Sequence, residues 1–191
     1  MEMSGDYYKT PESVEEYIKL AEGYNGKKLI EKLKRFLPSG SHLLELGSGP
    51  GTDWEILDAN FNVVGSDNSD EFIKRLAAKH PNGEFHNLDA ITITTDQKFD
   101  GIYSNKVLHH LTDSELESSI KKQYEVLHPQ GIVCHSFWKG EGSEVFKGLF
   151  VNYHSIITIG NLLDNSFEVL VTESYKEFED DDSILLIARK R

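Results

Sequence analysis

The sequence is poor in cysteine, proline and positive charge, and it contains no long apolar run. Its single cysteine, Cys134, cannot close a disulfide within the chain, so a reducing cytoplasm is the expected setting. No stretch of roughly 18 apolar residues exists, which excludes a membrane-spanning helix. The opening MEMSGDYYKTPESVEEY lacks a basic segment leading into an apolar one, so no secretory signal is expected. Twenty basic residues face 32 acidic ones, for a net charge of -12. A phosphate backbone would be repelled by that field. The basic residues Lys27, Lys28, Lys32, Lys34 and Arg35 share their segment with acids and read as a solvated helix face, so nucleic acid is not an expected partner.

What is present is a globular composition, 38% apolar and 27% charged, in 191 residues. That length suits one folding unit with a real core. Residues 1–40 read as a cap of two helices, and residues 41–191 as the main domain. Thr10-Pro11 starts the first helix, and Leu29, Ile30, Leu33, Phe36 and Leu37 give the second its apolar face before Pro38 stops it. From residue 42 a strand–turn–helix pattern repeats, with strands at 42–47, 61–67, 84–88, 98–105 and 131–138. Ser69 caps one intervening helix, and Thr112 with Glu115 forms a capping box for another, which Pro129 ends. Alternation at this interval predicts an α/β fold with a parallel sheet covered on both faces. Residues 143–163 read as helical and irregular by turns. Residues 166–175 and 183–190, joined by an acidic loop, read as an antiparallel pair at a sheet edge.

The chemistry concentrates at Glu45-Leu46-Gly47-Ser48-Gly49-Pro50-Gly51, where the first strand ends. Glycines at alternate positions let the backbone turn tightly and let a ligand approach with no Cβ in the way. The spacing is G-x-G-x-G rather than the G-x-G-x-x-G of dinucleotide sites. Glu45, two residues before the first glycine, would repel a pyrophosphate but suits a positively charged ligand. Asp67 closes the second strand, 22 residues after Glu45, where a carboxylate can accept both hydrogen bonds of a ribose diol.

In these motifs the sequence resembles the class I S-adenosylmethionine-dependent methyltransferases. The likeness covers residues 40–138 and, more loosely, the terminal hairpin. It rests on ELGSGPG, VVGSDNS, HNLDA, FDGIYSNKVLHHL and LHPQGIV. The resemblance implies a three-layer Rossmann-like fold, with a mostly parallel seven-stranded sheet of order 3-2-1-4-5-7-6 and strand 7 antiparallel. It implies S-adenosyl-L-methionine as cofactor, held by Glu45, Gly47, Ser48, Gly49, Gly51, Asp67, Asn68, Asp89, Ala90 and Asn105. Of these, Asp89 and Ala90 would meet the adenine edge. Gln130 stands where the family commonly has glycine.

Methyl transfer relies on holding donor and nucleophile in line in a dry pocket. His109 and His110 follow the fourth strand, and His109 is the expected proton acceptor. His110, Trp138, Tyr153 and His154 are the expected acceptor contacts, with Tyr17 and Tyr24 closing the pocket. The histidines show no zinc-ligand spacing with Cys134, so no metal is expected. The expected acceptor is a small molecule, with oxygen, nitrogen or carbon as nucleophile, and the protein a monomer or homodimer. Two other readings stay open: a cofactor-binding partner protein without catalysis, and a nicotinamide-dependent oxidoreductase.

Overall fold

Each strand–turn–helix unit expected between residues 42 and 138 forms, and its caps explain where it starts. The computed structural model describes residues 8, 10–146, 148–163 and 166–191, so the first residues of the N-terminal cap lie outside the described residues. Thr10 caps α1 (Pro11–Leu20), and α2 (Lys27–Leu33) follows. Then come β1 (His42–Leu46), α3 (Thr52–Asp58), β2 (Asn62–Asp67), α4 (Asp70–Lys79), β3 (Glu84–Asn87) and β4 (Phe99–Asn105). The Ser69 hydroxyl accepts the Phe72 N–H to start α4. A 3₁₀ turn at Leu108–His110 leads into α5 (Asp113–Val126), which opens with the Thr112–Glu115 capping box.

The sheet order is β3-β2-β1-β4-β5-β9-β8, where β5 is Leu127–Trp138, β8 is Phe167–Tyr175 and β9 is Ser183–Lys190. Strands β1 to β5 run parallel, while β9 pairs antiparallel with both β5 and β8. This is the order expected, with the terminal hairpin renumbered because two short strands precede it. Side chains alternate across the sheet: Leu43 joins an apolar layer with Leu29, Ile30, Leu33 and Trp54, and Leu44 joins the opposite layer with Leu116 and Ile120. The second cap helix is thus part of the main core.

Two segments depart from expectation. β5 begins at Leu127, not at residue 131, and its register against β4 shifts between Phe99 and Gly101 to absorb the extra residues. Gln130 sits in that irregularity with φ 67°, the left-handed backbone that a glycine would adopt without strain. β6 (Ser143–Phe146) and β7 (Leu149–Asn152) pair antiparallel where helix or irregular chain was expected. Helix is confined to α6 (Ile156–Leu162). No helix among the described residues is long and apolar enough to cross a membrane.

A polar thread runs through the core. Ser104 Oγ donates to His135 Nδ1 at 2.8 Å, and His135 Nε2–H donates to Gln123 Oε1 at 2.7 Å. Gln123 Nε2 then donates to Ser119 Oγ, and Ser119 Oγ to the Ala90 carbonyl. Burial pushes the His135 imidazole down to about 3, so the ring stays neutral and every hydrogen bond in the thread is made.

Candidate active site

A cavity of about 330 Å³ opens at the carboxyl edge of β1, β4 and β5. Its floor is the glycine loop. Gly47, Gly49 and Gly51 have φ of 70°, 49° and 84°, a backbone region that L side chains rarely occupy. A Cβ at Gly47 would sit 2.5 Å from Val107 Cγ2. Gly47→Ala is therefore expected to destabilise the protein by about 2 kcal/mol, chiefly from the left-handed backbone. A lower urea midpoint at unchanged slope would register this. An unshifted midpoint would mean that the loop relaxes freely.

Two carboxylates stand above the loop. Glu45 is 2% exposed and accepts a 2.6 Å hydrogen bond from Ser48 Oγ. Burial, and then the charge of Asp53, push its carboxyl up to about 8. Asp53, in the first turn of α3, accepts from Gly26 N–H at 2.6 Å, Tyr103 OH at 2.7 Å and Asn105 Nδ2 at 3.0 Å. It thereby ties the cap to β4. Asn105 is fixed from its other side by Ser136 Oγ, which donates to its Oδ1.

The remaining walls come from five places. Tyr8, Tyr17 and Tyr24 approach from the N-terminal segment, and Leu149 and Val151 from β7. Trp138 ends β5, with Phe178 stacked on it at 5.6 Å. Glu177 and Phe178 lie in the β8–β9 corner, which Asp182 rigidifies by accepting the N–H groups of residues 177, 178 and 179. Lys106 follows Asn105 with φ 55°. Its Nζ donates to the Phe137 carbonyl and to Ser183 Oγ and lies 3.7 Å from the Trp138 ring centroid. Burial pulls this ammonium down to about 7, with Glu177 and Asp182 acting the other way.

Of the residues singled out from the sequence, Glu45, Gly47, Ser48, Gly49, Asn105, His109, His110 and Trp138 all line this cavity. Gly51 is the left-handed N-cap of α3 just behind it. Asp67 sits at the edge, one oxygen accepting from Gly49 N–H and the other from Ser69 N–H, both at 2.9 Å. Asn68 is exposed. Asp89 and Ala90 do not line the cavity: Asp89 Oδ1 holds its own turn through the N–H groups of Ile91 and Thr92, and Ala90 packs on the core. Tyr153 and His154 must be corrected. They line a separate open groove of about 1010 Å³ beside α5 and α6, because β7 gives the cavity Leu149 and Val151 and the chain then turns away along Lys139.

Sequence reasoning missed Asp53, Lys106, Glu177 and Phe178. Asp53 and Lys106 carried a signal, since Asp53 stands two residues past the glycine motif and Lys106 lies inside the quoted run after the fourth strand. Glu177 and Phe178 carried none, because only the closure of the sheet brings their corner to the glycine loop.

Comparison with known proteins agrees with this geometry. A family model described as a methyltransferase domain matches residues 43–131. An uncharacterised methyltransferase of Oceanobacillus iheyensis is 35% identical over 101 residues, covering 50% of this chain and 46% of that protein. The trans-aconitate 2-methyltransferase of Variovorax paradoxus is 33% identical over 102 residues, covering 51% of this chain and 39% of that one. The matches thus span less than half the length of these curated relatives. In fold, the chain is similar to the 1,6-didemethyltoxoflavin-N1-methyltransferase of Burkholderia thailandensis. The TM-score is 0.79 at 16% identity, covering 94% of this chain and 84% of that one. Residues 43–131 match the model of a methyltransferase domain, and the sheet order built around them is that of a Rossmann-like methyltransferase fold.

Proposed function

We propose that the protein transfers a methyl group from S-adenosylmethionine to a small-molecule acceptor. The observation that carries this is Glu45, a buried carboxylate with a neutral hydroxyl as its hydrogen-bond partner, set above a glycine cradle in which a side chain at Gly47 or Gly51 would clash and all three glycines have left-handed backbone. A buried acid without a cation nearby is costly, and a ligand bearing an ammonium and a sulfonium relieves that cost. Bound there, the cofactor supplies an electrophilic methyl group.

In this reading Glu45 pairs with the amino group, and the loop from Gly47 to Gly51 lies against the donor. Asp67 and Asn68 serve the ribose, Asp89 and Ala90 the adenine edge, and Asn105 the methyl end. Asp53 holds Asn105 and the cap helices in place around them. The walls exclude water from the transfer. A cavity of about 330 Å³ favours a small acceptor, as do the relatives whose names give trans-aconitate and 1,6-didemethyltoxoflavin as substrates. The single thiol, Cys134, is buried and suits a cytoplasmic setting, as a monomer or homodimer.

Calorimetry tests the reading. Adenosylmethionine and adenosylhomocysteine are expected to bind at micromolar level, about -8 kcal/mol, and NAD not at all. Binding of NAD without adenosylhomocysteine would return the oxidoreductase reading. Binding without turnover across a broad metabolite library would favour a non-catalytic partner protein.

A further inference from the structure

The strongest chemistry left over lies at the two adjacent histidines and the fixed ammonium beside them. We propose that His110 takes the acceptor's proton, and that the acceptor is a flat ring carrying a weakly acidic O–H or ring N–H. This rests on the methyl-transfer reading above.

The tautomer is the first support. His110 Nδ1 lies 2.7 Å from the Phe150 carbonyl oxygen, which can only accept. Nδ1 therefore carries the proton, and Nε2, on the other edge of the ring, holds the lone pair in a side chain that lines the cavity. A backbone carbonyl on β7 does for this imidazole what a carboxylate does in many hydrolases: it fixes the ring and names the basic nitrogen. Burial lowers the imidazole's pKa, the Phe150 contact opposing it, so the base waits unprotonated.

His109 is the weaker base. It is 3% exposed, nothing in the structure fixes its tautomer, and burial, then His110 and Lys106, hold its pKa well below the usual range. Its Nδ1 is buried with no hydrogen-bond partner among the described residues, and the ring lies against His110 with centroids 4.0 Å apart. That orphaned nitrogen is a polar contact left for a ligand atom beside the base. The expectation that His109 takes the proton is thus revised: His110 takes it, and His109 contacts the acceptor.

The walls choose the acceptor's shape and charge. Trp138 is covered by Phe178, stacked on it at 25°, and by Lys106 Nζ, so the apolar surface left for a planar ring at the far end is that of the half-exposed Phe178 and Tyr24. The Lys106 ammonium is locked into this wall by the Phe137 carbonyl and Ser183, with no carboxylate among the described residues hydrogen-bonded to it. While protonated, that group favours an acceptor that becomes negative and repels one that arrives as an ammonium, with the Glu177 and Asp182 charges beside it helping to keep the proton on. A carboxylate acceptor would have no proton for the base to take.

The step balances. The acceptor's X–H bond gives its proton to His110 Nε2, and an X–CH₃ bond forms as the donor's S–CH₃ bond breaks. The sulfonium's charge reappears as an imidazolium, which loses its proton to water.

The test uses the full chain with adenosylmethionine, reading adenosylhomocysteine release from 4-nitrophenol, 8-hydroxyquinoline and xanthine against benzylamine and benzoate. The ring acids are expected to turn over and the last two not. His110→Gln keeps an N–H for the Phe150 carbonyl but cannot accept a proton. It should lower kcat by about 10²- to 10⁴-fold while leaving adenosylhomocysteine affinity within about threefold. The titratable groups facing His110 are His109 on the same turn and Tyr8 from the N-terminal segment. With adenosylmethionine saturating at every pH, so that Glu45 does not limit, the variant should lose the acid limb of the wild-type kcat profile and follow the acceptor's own ionisation instead, and His109→Gln should keep that limb. Three results would each overturn the proposal: preference for benzylamine or benzoate, no ring acid turned over by protein that binds adenosylhomocysteine, or unchanged kcat in His110→Gln. Failure to bind adenosylhomocysteine would instead remove the methyl-transfer reading underneath it.

Discussion

Adenosylhomocysteine binding is expected to release close to one proton at pH 6.5, and its affinity to climb about tenfold per pH unit until about pH 8. The cause is Glu45, pushed up to about 8 in the ligand-free protein by burial and by Asp53. An ammonium at this site needs the ionised carboxylate, so below pH 8 binding must expel the proton. Titration calorimetry in two buffers of different ionisation enthalpy measures that proton directly. The same acid sets a stability trend of opposite use. Between the ordinary glutamate value of 4.5 and about 8 the folded chain binds more protons at this site than the unfolded chain. Folding stability therefore falls as pH rises through that window, by at most about 1.4 kcal/mol per unit. Glu45→Gln removes the liability. It should melt higher than the parent at pH 8 while binding the cofactor more weakly and without proton release. A variant that melted lower at pH 8 would contradict the account.

Asp67→Ala is the second large effect, expected to weaken adenosylhomocysteine binding by about 100-fold or more. The substitution leaves the N–H groups of Gly49 and Ser69 without their acceptor, at about 1–3 kcal/mol for each one that stays buried. Ser69 caps α4, so loop and helix loosen together. Asp67→Asn separates fold from recognition. Its amide keeps one acceptor oxygen, so most stability should survive, but it cannot accept both hydroxyls of a ribose. If Asn at 67 bound adenosylhomocysteine as the parent does, the ribose assignment would fall.

Local signals decided what was legible in the sequence. Ser69, Thr112 with Glu115, and the spaced glycines each act within a few residues, so their elements appear where expected. The long-range pairing of β9 with β5 was reached through family resemblance, because nothing local dictates it. The hairpin β6–β7 was misread because its strands are four residues each, too short for alternation to separate from helix or coil. The clue lay in the apolar, β-branched runs on either side of Gly148, whose φ is 83°. That misreading also misplaced Tyr153 and His154, since position along the chain says nothing about which way a short hairpin turns. The cofactor motifs escaped this problem because strand ends of a parallel sheet share one edge.

The polar thread from Ser104 through His135, Gln123 and Ser119 to Ala90 has a consequence for alignment. If β5 slid past β4 by one residue, His135 would turn to the opposite face and strand several dry hydrogen-bonding groups at once. Oily side chains tolerate such a slide better than this chain of donors and acceptors does. The thread also fastens the Ala90 turn to the strand that carries Asn105 and Lys106. The Ala90 turn and the rim of the cavity beside Asn105 therefore ride on a single girder, and a shift at either end is felt at the other.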